Sequence, residues 1–423
     1  MMSQNPFFVG GPVPPNYFFG RSSELKTAFD QITKCAHLAI YGSSGTGKSS
    51  FLRYLTSSQA WQVRGQDYSK AFIVLLNCSG ISPFTIDTFW REVLELLREE
   101  AKSDVDLQTE LDAVLRKERI EKGDLRRILR LIGQRNKFLL LLLDDYDTVL
   151  RSNEHYTEAE MITFLSEFRD LAVHNKEGQY LSTIVTTFRR LTELGPNLKF
   201  GGSPWYNHYL FRRLKPLSTN DVNAQLIIPI PTKLRKGVLS IIGGNSALLQ
   251  NAGYLLYDTV QAGQIPDLEL FIQDFMAATE QYFQNTWEFS TEEEKILLML
   301  IALYRLEGRL NNKQYALGDT EAIFSQRSRE LIDLEERGVT QRIVRGDKTS
   351  YSFTSSMMEW WVTREIENST EAELKNREKV WLKLMSREQV GQVTKVFQAV
   401  WKNRGVVQSV TTWIVSKLMG NPA

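Results

Sequence analysis

The residues best suited to chemistry lie in one glycine-rich loop, Gly42-Ser43-Ser44-Gly45-Thr46-Gly47-Lys48-Ser49. Its spacing is G-x-x-x-x-G-K-S, the pattern of a phosphate-binding loop or P-loop. Glycines let successive backbone N–H groups turn inward and cradle the β- and γ-phosphates of a nucleotide. Lys48 would neutralise phosphate charge, the Ser49 hydroxyl would bind Mg²⁺, and Ser50 completes the predicted binding set. A chance glycine-rich turn is the alternative, but an eight-position pattern between a predicted strand and a predicted helix favours a bound nucleoside triphosphate, ATP, with Mg²⁺.

Two carboxylates follow a long apolar run, Phe138–Leu143, at Asp144 and Asp145. A buried parallel strand with this ending delivers acids to the carboxyl edge of its sheet. We expect Asp144 to hold Mg²⁺, directly or through water, and Asp145 to polarise the attacking water. Asp147, in the loop beyond, could support either role.

Polar residues also follow the predicted strand 182–186. Thr186 at its tip could sense the γ-phosphate, and Arg189 or Arg190 could contact the nucleotide of a neighbouring subunit. The alternative for the two arginines is ordinary solvated surface charge.

The first 20 residues are rich in proline, glycine and aromatics, which predicts an extended arm lying on a domain surface. Phe19-Gly20-Arg21 follows, and then a helix whose apolar residues, from Leu25 to Ile32, share one face. The arm and this helix are either packing elements or the wall beside the adenine. Their place just before the P-loop strand favours the second interpretation, so Phe19, Gly20 and Arg21 join the predicted nucleotide-binding residues.

Apolar runs predict strands at 38–41, 71–76, 138–143 and 182–186, with a fifth beginning at 208–210. Residues 84–135 are helical in character, and the charge-dense stretch 101–125 is expected to be a solvated insertion. The predicted fold class is therefore α/β, a P-loop NTPase with a parallel sheet.

From Ser218 the pattern becomes helical. Ser290-Thr291-Glu292-Glu293 reads as a capping box that opens a strongly apolar helix, and another helix is expected at about 320–337. Thr340–Arg345 and Tyr351–Phe353 flank a turn, which predicts a hairpin and a winged-helix pattern. The predicted domains are 1–217 for the arm and nucleotide-binding domain, 218–288 for a helical lid, 289–368 for the winged helix, and 369–423 for a helical tail. Two apolar stripes in the tail, at 390–401 and 406–418, serve either as core or as a docking face for a partner.

Composition limits the remaining classes of function. The chain has 423 residues and a net charge of +1, so no global field draws it to nucleic acid or a membrane. No signal peptide or bilayer-length apolar run is visible, and the four histidines lack metal-ligand spacing. Two cysteines make no disulfide framework, so we expect a cytoplasmic protein.

The order of these motifs resembles the STAND branch of AAA+-like ATPases, signalling switches close to the origin-recognition ATPases, over roughly residues 5–366. The N-terminal Asn5-Pro6-Phe7 and Phe19-Gly20-Arg21 look like the start of that family's domain, and Gly243-Gly244-Asn245-Ser246 is similar to its G-G-H-P turn. The resemblance implies that this turn approaches the nucleotide and reports its state, which adds Ser246 to the expected site. Two departures stand out, since Ser246 occupies the usual proline position and Asp145 a position that is often glutamate. The shorter aspartate implies slow hydrolysis.

The resemblance implies an ATP-driven conformational switch that assembles into homo-oligomers and regulates an effector or sensor protein in trans. One alternative is a DNA-binding initiator or transposition-type regulator, and another is a plain ATPase subunit serving a partner enzyme. Nucleic acid is not favoured as a partner of the monomer, because the predicted second helix of the winged helix is slightly acidic.

Overall fold

The fold is taken from a computed structural model, which describes residues 4–196, 204–305, 320–346 and 348–370, with isolated helical positions between 372 and 391. The described chain forms two compact units. The sheet unit comprises residues 12–42 and 47–214. The C-terminal unit comprises the residues before 12, residues 43–46 at the tip of the P-loop, and the chain from 215 onward.

A parallel sheet of five strands forms the centre of the sheet unit, in the order β2-β3-β4-β1-β5. The strands are β1 His37–Tyr41, β2 Ala71–Asn77, β3 Phe138–Asp144, β4 Leu181–Thr187 and β5 Tyr209–Arg213. Because all five run in the same direction, their carboxyl ends meet at one edge. Asn77 pairs with Asp144 and Tyr41 pairs with Thr187, so the polar strand endings lie side by side along that edge.

Helices cover both faces of the sheet, which explains why its strands are continuous apolar runs. Along β3, Leu139, Leu141 and Leu143 belong to one apolar cluster, and Leu140 and Leu142 belong to the cluster on the other face. The helices of this unit are α1 Ser22–Ile32, α2 Lys48–Leu55, α3 Ser58–Val63, α4 Ile86–Glu100, α5 Val105–Leu115, α6 Lys122–Gln134 and α7 Glu158–Arg169. The predicted parallel α/β fold is confirmed.

The expectation of a solvated insertion at 101–125 is wrong. Leu107 and Leu111 on α5 are fully buried, as is Ala101 just before this helix. Spacings of i, i+4 and i+7 place Leu107, Leu111 and Val114 on one face of the helix, where they join the core. Most charges of this stretch lie before α5 or in the connection between α5 and α6, and they concealed the apolar stripe in the sequence.

Helices dominate the C-terminal unit. They are α8 Thr219–Gln225, α9 Thr232–Ile242, α10 Ser246–Gln261, α11 Leu268–Glu288, α12 Glu292–Arg305, α13 Thr320–Gln326, α14 Ser328–Glu336 and α15 Ser356–Glu367. Antiparallel strands β6 Thr340–Arg345 and β7 Lys348–Phe353 form the predicted hairpin before α15. Ser218 caps α8 as expected, since its hydroxyl accepts the Asp221 N–H at 3.1 Å.

Two local predictions in this unit are corrected. The capping box of α12 is one residue later than predicted, because the Thr291 hydroxyl and the Glu294 carboxylate exchange bonds with each other's backbone N–H. The helix expected at 320–337 is two helices, since the backbone leaves helical geometry at Arg327 (φ −117°, ψ 33°). The winged-helix assignment and the domain boundaries stay predictions.

Two further expectations concern membranes and the tail. Within the described residues, no helix has the length and apolarity needed to cross a membrane. The described tail position Val390 is buried. Most residues of the two predicted tail stripes lie outside the described residues.

Candidate functional site

Lys48 begins α2 and lies among acidic side chains at the carboxyl edge of the sheet. Its Nζ donates a hydrogen bond to the Gly42 carbonyl at 2.8 Å, which closes the base of the P-loop. Burial lowers the pKa of Lys48. Three carboxylates oppose this shift, in the order Asp147, Asp144 and Asp145. The structure therefore gathers the predicted lysine and the predicted acids in one place.

Asp144 and Asp145 are joined through Thr186 on the neighbouring strand. The Thr186 hydroxyl donates to Asp144 Oδ1 at 2.5 Å, and it accepts the Asp145 N–H at 3.3 Å. Parallel pairing of β3 and β4 brings the threonine to this position, because Leu143 lies opposite Val185. Thr186 was predicted as a γ-phosphate sensor, and its observed partners are the two acids.

The backbone of Asp145 is left-handed (φ 49°, ψ 43°), a conformation that aspartate tolerates better than most residues. Burial, and then the neighbouring Asp144 charge, raise the pKa of the Asp145 carboxyl. The Ser79 hydroxyl donates to its Oδ2 at 3.4 Å, and the Asn77 side chain holds Ser79 through the backbone N–H at 3.0 Å. Ser79 and Asn77 were not predicted as site residues, although Asn77 directly follows the predicted strand 71–76.

Asp147 contacts the backbone just after β4. The Phe188 N–H donates to both carboxylate oxygens of Asp147, to Oδ2 at 3.0 Å and to Oδ1 at 3.2 Å. Burial raises its pKa, and this hydrogen bond partly opposes the rise. Asp147 thus links the loop after β3 to the loop after β4, and its predicted supporting role in catalysis stays a prediction.

Arg189 and Arg190 both have partners within their own chain. Arg189 pairs with Glu193 at 3.1 Å. Arg190 Nε donates to the Tyr41 hydroxyl at 3.0 Å, and its guanidinium lies over the Tyr41 ring. Neither arginine is simply solvated. A contact with a neighbouring subunit stays a prediction for both.

The arm before α1 lies along the helix that follows the P-loop. Phe18 stacks on Tyr54 of α2, with ring centroids 4.7 Å apart, and the Val13 N–H donates to the Ser50 hydroxyl at 3.0 Å. Ser50 therefore holds the arm. Gly20 and Arg21 both have positive φ, 73° and 62°, and Arg21 is buried whereas Phe19 is exposed. Their predicted role beside the adenine stays untested.

The tip of the P-loop, Ser43–Thr46, is held within the C-terminal unit. The Ser43 hydroxyl donates to the Arg337 carbonyl at 2.6 Å, and the Ser246 hydroxyl donates to the Thr46 carbonyl at 3.1 Å. Ser246, predicted from the G-G-N-S turn, is thus a direct partner of the loop. Arg337 was missed as a site residue. Its fully buried side chain pairs with Glu294 at 2.7 Å and with Asp333 at 2.8 Å, which fixes the carbonyl that Ser43 contacts.

The residues present fit a bound triphosphate and a divalent cation. Gly45 and Gly47 have φ of 76° and 95°, values that let a P-loop turn its N–H groups inward. Hydroxyl and carboxylate oxygens, such as those of Ser49 and Asp144, are the donors that Mg²⁺ prefers. The arrangement could therefore bind phosphate and hold a cation beside a buried acid.

Comparisons with known proteins agree with this geometry. Residues 32–191 match the family described as AAA domain, and no curated protein matches the sequence. Among solved structures, a Walker-type ATPase of Pyrococcus abyssi is similar over 84% of this chain and 99% of its own, with 14% identity and a TM-score of 0.51. The ORC2 protein of Aeropyrum pernix has 12% identity and a TM-score of 0.48 over 94% of this chain and 98% of its own. At such identities likeness concerns the fold alone. The strand order and the P-loop show the P-loop NTPase fold, and residues 32–191 of that fold match the AAA domain family.

Proposed function

We propose that this protein is an ATP-binding, slowly hydrolysing ATPase that works as a conformational switch of the STAND type. The observation that carries the proposal is the cluster of Lys48, Asp144, Asp145 and Thr186 at the carboxyl edge of the sheet. Phosphoryl transfer requires a positive charge and backbone N–H groups to bind the phosphates, and carboxylates to bind Mg²⁺ and position the attacking water. This cluster and the adjoining glycine-rich loop contain all of these groups.

In this proposal the P-loop amides and Lys48 bind the β- and γ-phosphates. Ser49 and Asp144 would hold Mg²⁺, which would supply positive charge beside the phosphates. Thr186 keeps the Asp144 carboxylate oriented, because a hydroxyl that donates to a metal-binding oxygen limits its rotation.

Asp145 orients the attacking water, which adds to the γ-phosphorus as the bond to the β-phosphate oxygen breaks, giving ADP and phosphate. Its raised pKa makes it a better proton acceptor than an ordinary aspartate. Its side chain is also shorter than a glutamate, and it is tied to Ser79. Both features favour slow turnover, as suits a switch.

Switching is proposed to couple the bound nucleotide to self-assembly and to a partner protein in trans. Arg189 or Arg190 would reach a neighbouring subunit only after exchanging its present partner, Glu193 or Tyr41 respectively. Assembly would therefore require a rearrangement at the end of β4.

The experiment is a measurement of molecular mass by light scattering, first with ADP and Mg²⁺ and then with a non-hydrolysable ATP analogue. We expect the molecular mass of the wild-type protein to rise only with the analogue. The Lys48→Ala variant should keep the mass of a monomer with either nucleotide. The same mass with both nucleotides would contradict the switch. Binding of neither nucleotide would contradict the ATPase assignment itself.

A further inference from the structure

Three successive carbonyls at the tip of the P-loop accept hydrogen bonds from three successive residues at the start of α10. Asn245 Nδ2 donates to Ser44 O at 2.9 Å. The Ala247 N–H donates to Gly45 O at 2.9 Å, and Ser246 Oγ donates to Thr46 O at 3.1 Å. Both segments belong to the C-terminal unit.

Asn245 is fixed by its own helix. It is the N-cap residue of α10, and its Oδ1 accepts the N–H groups of Ala247 at 3.0 Å and Leu248 at 3.2 Å. With the oxygen held in this way, the amide nitrogen at the other end of the same planar group faces Ser44. One side chain therefore caps the helix and holds the loop.

Glycines on both sides of the contact allow the turn before α10 to lie close to its neighbours. Gly243 and Gly244 have φ of 56° and 78°, and a Cβ on Gly243 would lie 2.5 Å from the Thr354 carbonyl oxygen. On the loop side, a Cβ on Gly45 would lie 2.7 Å from Asn245 Oδ1. The contact between Asn245 and the loop is thus close enough to require glycine at position 45.

These bonds determine which way the peptide groups of the loop face. In a trans peptide, the C=O and the following N–H point in opposite directions. Carbonyls 44, 45 and 46 accept bonds from the start of α10, so the N–H groups of Gly45, Thr46 and Gly47 face away from that helix. Of these three, the Thr46 N–H donates to Ser43 O at 3.4 Å within the loop, a long bond that a phosphate oxygen would replace. A run of N–H groups on one side of a loop is a phosphate cradle.

We propose that Asn245 is a positioning residue for phosphate binding, because it holds the P-loop tip with its amides presented for the β- and γ-phosphates. This inference rests on the proposed nucleotide binding and extends it to a residue 201 positions from Ser44 in the chain. Asn245 acts through its contact with the backbone of the loop. Its contribution is preorganisation, which lowers the cost of ordering the loop on binding.

Two substitutions separate the two roles of Asn245. Asn245→Asp keeps an oxygen that caps α10 but loses the donor to Ser44 O, whereas Asn245→Ala loses both. Asp267 supplies a matched control, since it caps α11 through the same pair of bonds, to the N–H groups of Glu269 and Leu270. Asp267→Ala thus tests the loss of a helix cap without a change at the P-loop.

The first measurement is hydrogen exchange of a peptide spanning residues 43–47 in the nucleotide-free protein. We expect faster exchange in Asn245→Asp and Asn245→Ala, and wild-type exchange in Asp267→Ala. The second measurement is the affinity for ATP with Mg²⁺. We expect both Asn245 variants to bind about fivefold more weakly, as the loss of one hydrogen bond of roughly 1 kcal/mol predicts.

The two measurements distinguish this inference from the proposed function. Unchanged exchange in Asn245→Asp would overturn the loop-holding role, whether or not the protein binds ATP. Faster exchange with unchanged or tighter ATP binding would overturn the positioning role. If the folded wild-type protein binds no ATP, then the proposed function fails together with the positioning role, while the exchange data still decide whether Asn245 holds the loop.

Discussion

Replacing Thr186 with valine removes one hydroxyl from the centre of the site and keeps the shape of the side chain nearly constant. That hydroxyl donates to Asp144 Oδ1 and accepts the Asp145 N–H, and the side chain is fully buried. A hydrogen bond to a charged group contributes about 1.5–3 kcal/mol. Since each 1.36 kcal/mol corresponds to a factor of ten, ATP hydrolysis should slow by roughly 10- to 150-fold.

The assay is single-turnover hydrolysis of ATP at saturating Mg²⁺, together with a titration of ATP binding. Hydrolysis should slow because Asp144 loses its fixed orientation and Asp145 loses a backbone contact. The affinity for ATP should change by less than about threefold, since the P-loop amides and Lys48 are untouched. A difference in rate without a difference in affinity is the mark of a group that positions the reacting atoms.

Two control variants accompany this prediction. Thr186→Ser keeps the hydroxyl and should retain most of the activity. Thr183→Val alters another buried threonine on the same strand, one that pairs with His37 and not with the acids, and should hydrolyse ATP normally. Wild-type turnover in a folded Thr186→Val protein would refute the idea that this hydroxyl orients Asp144.

Asp145→Asn should bind ATP as the wild type does but hydrolyse it more slowly, and the loss of activity at acidic pH should disappear in this variant, because the raised pKa of Asp145 belongs to the group being removed. Stability should fall by about 2 kcal/mol per histidine between pH 7 and pH 5, in denaturant titrations, because burial lowers the pKa of His37 to about 4 and of His208 to about 3. Duplex DNA should bind the monomer weakly in fluorescence anisotropy, since the hairpin exposes Arg342 and Arg345 and each phosphate contact adds only about 0.9 to the salt slope.

Each of these three predictions has its own contradicting result. For Asp145, wild-type turnover in the asparagine variant would show that another residue orients the water. In the unfolded chain, His37 and His208 bind protons as the pH falls below the ordinary histidine pKa of 6.5, whereas burial keeps them neutral in the folded protein. The free energy of unfolding therefore decreases as the pH falls. A slope in His208→Phe equal to that of the wild type would exclude the buried pair of histidines as its cause. Tight, salt-sensitive duplex binding that is lost in the double variant of Arg342 and Arg345 would favour the DNA-regulator alternative.

The sheet and the P-loop were predictable because their signals are local. Strands buried on both faces are continuous apolar runs, and the acids of β3 directly follow such a run. The placement of Thr186 beside Asp144 follows from parallel pairing, although the bond between them needed the structure. Helix α5 was misjudged because the spacing of Leu107, Leu111 and Val114 is easily hidden by charge.

Contacts between distant segments were not predictable in the same way. A turn of sequence G-G-N-S indicates an N-cap, but nothing in it shows that the Asn245 amide also reaches Ser44. The same holds for Arg337, whose pairing with Glu294 depends on how α12 and α14 meet. Side-chain partners of Arg189 and Arg190 likewise depend on tertiary placement, so the sequence left their role open.

The most direct test of the account is a calorimetric titration of ATP and Mg²⁺ into the wild-type protein and into Lys48→Ala. Lys34→Ala, at an exposed lysine outside the site, is the control. We predict saturable binding at one site in the wild type and the control, weakened by about 10- to 100-fold in Lys48→Ala, or roughly 1.4–2.7 kcal/mol. Equal affinity in a folded Lys48→Ala protein, or no saturable binding by the wild type, would contradict the account.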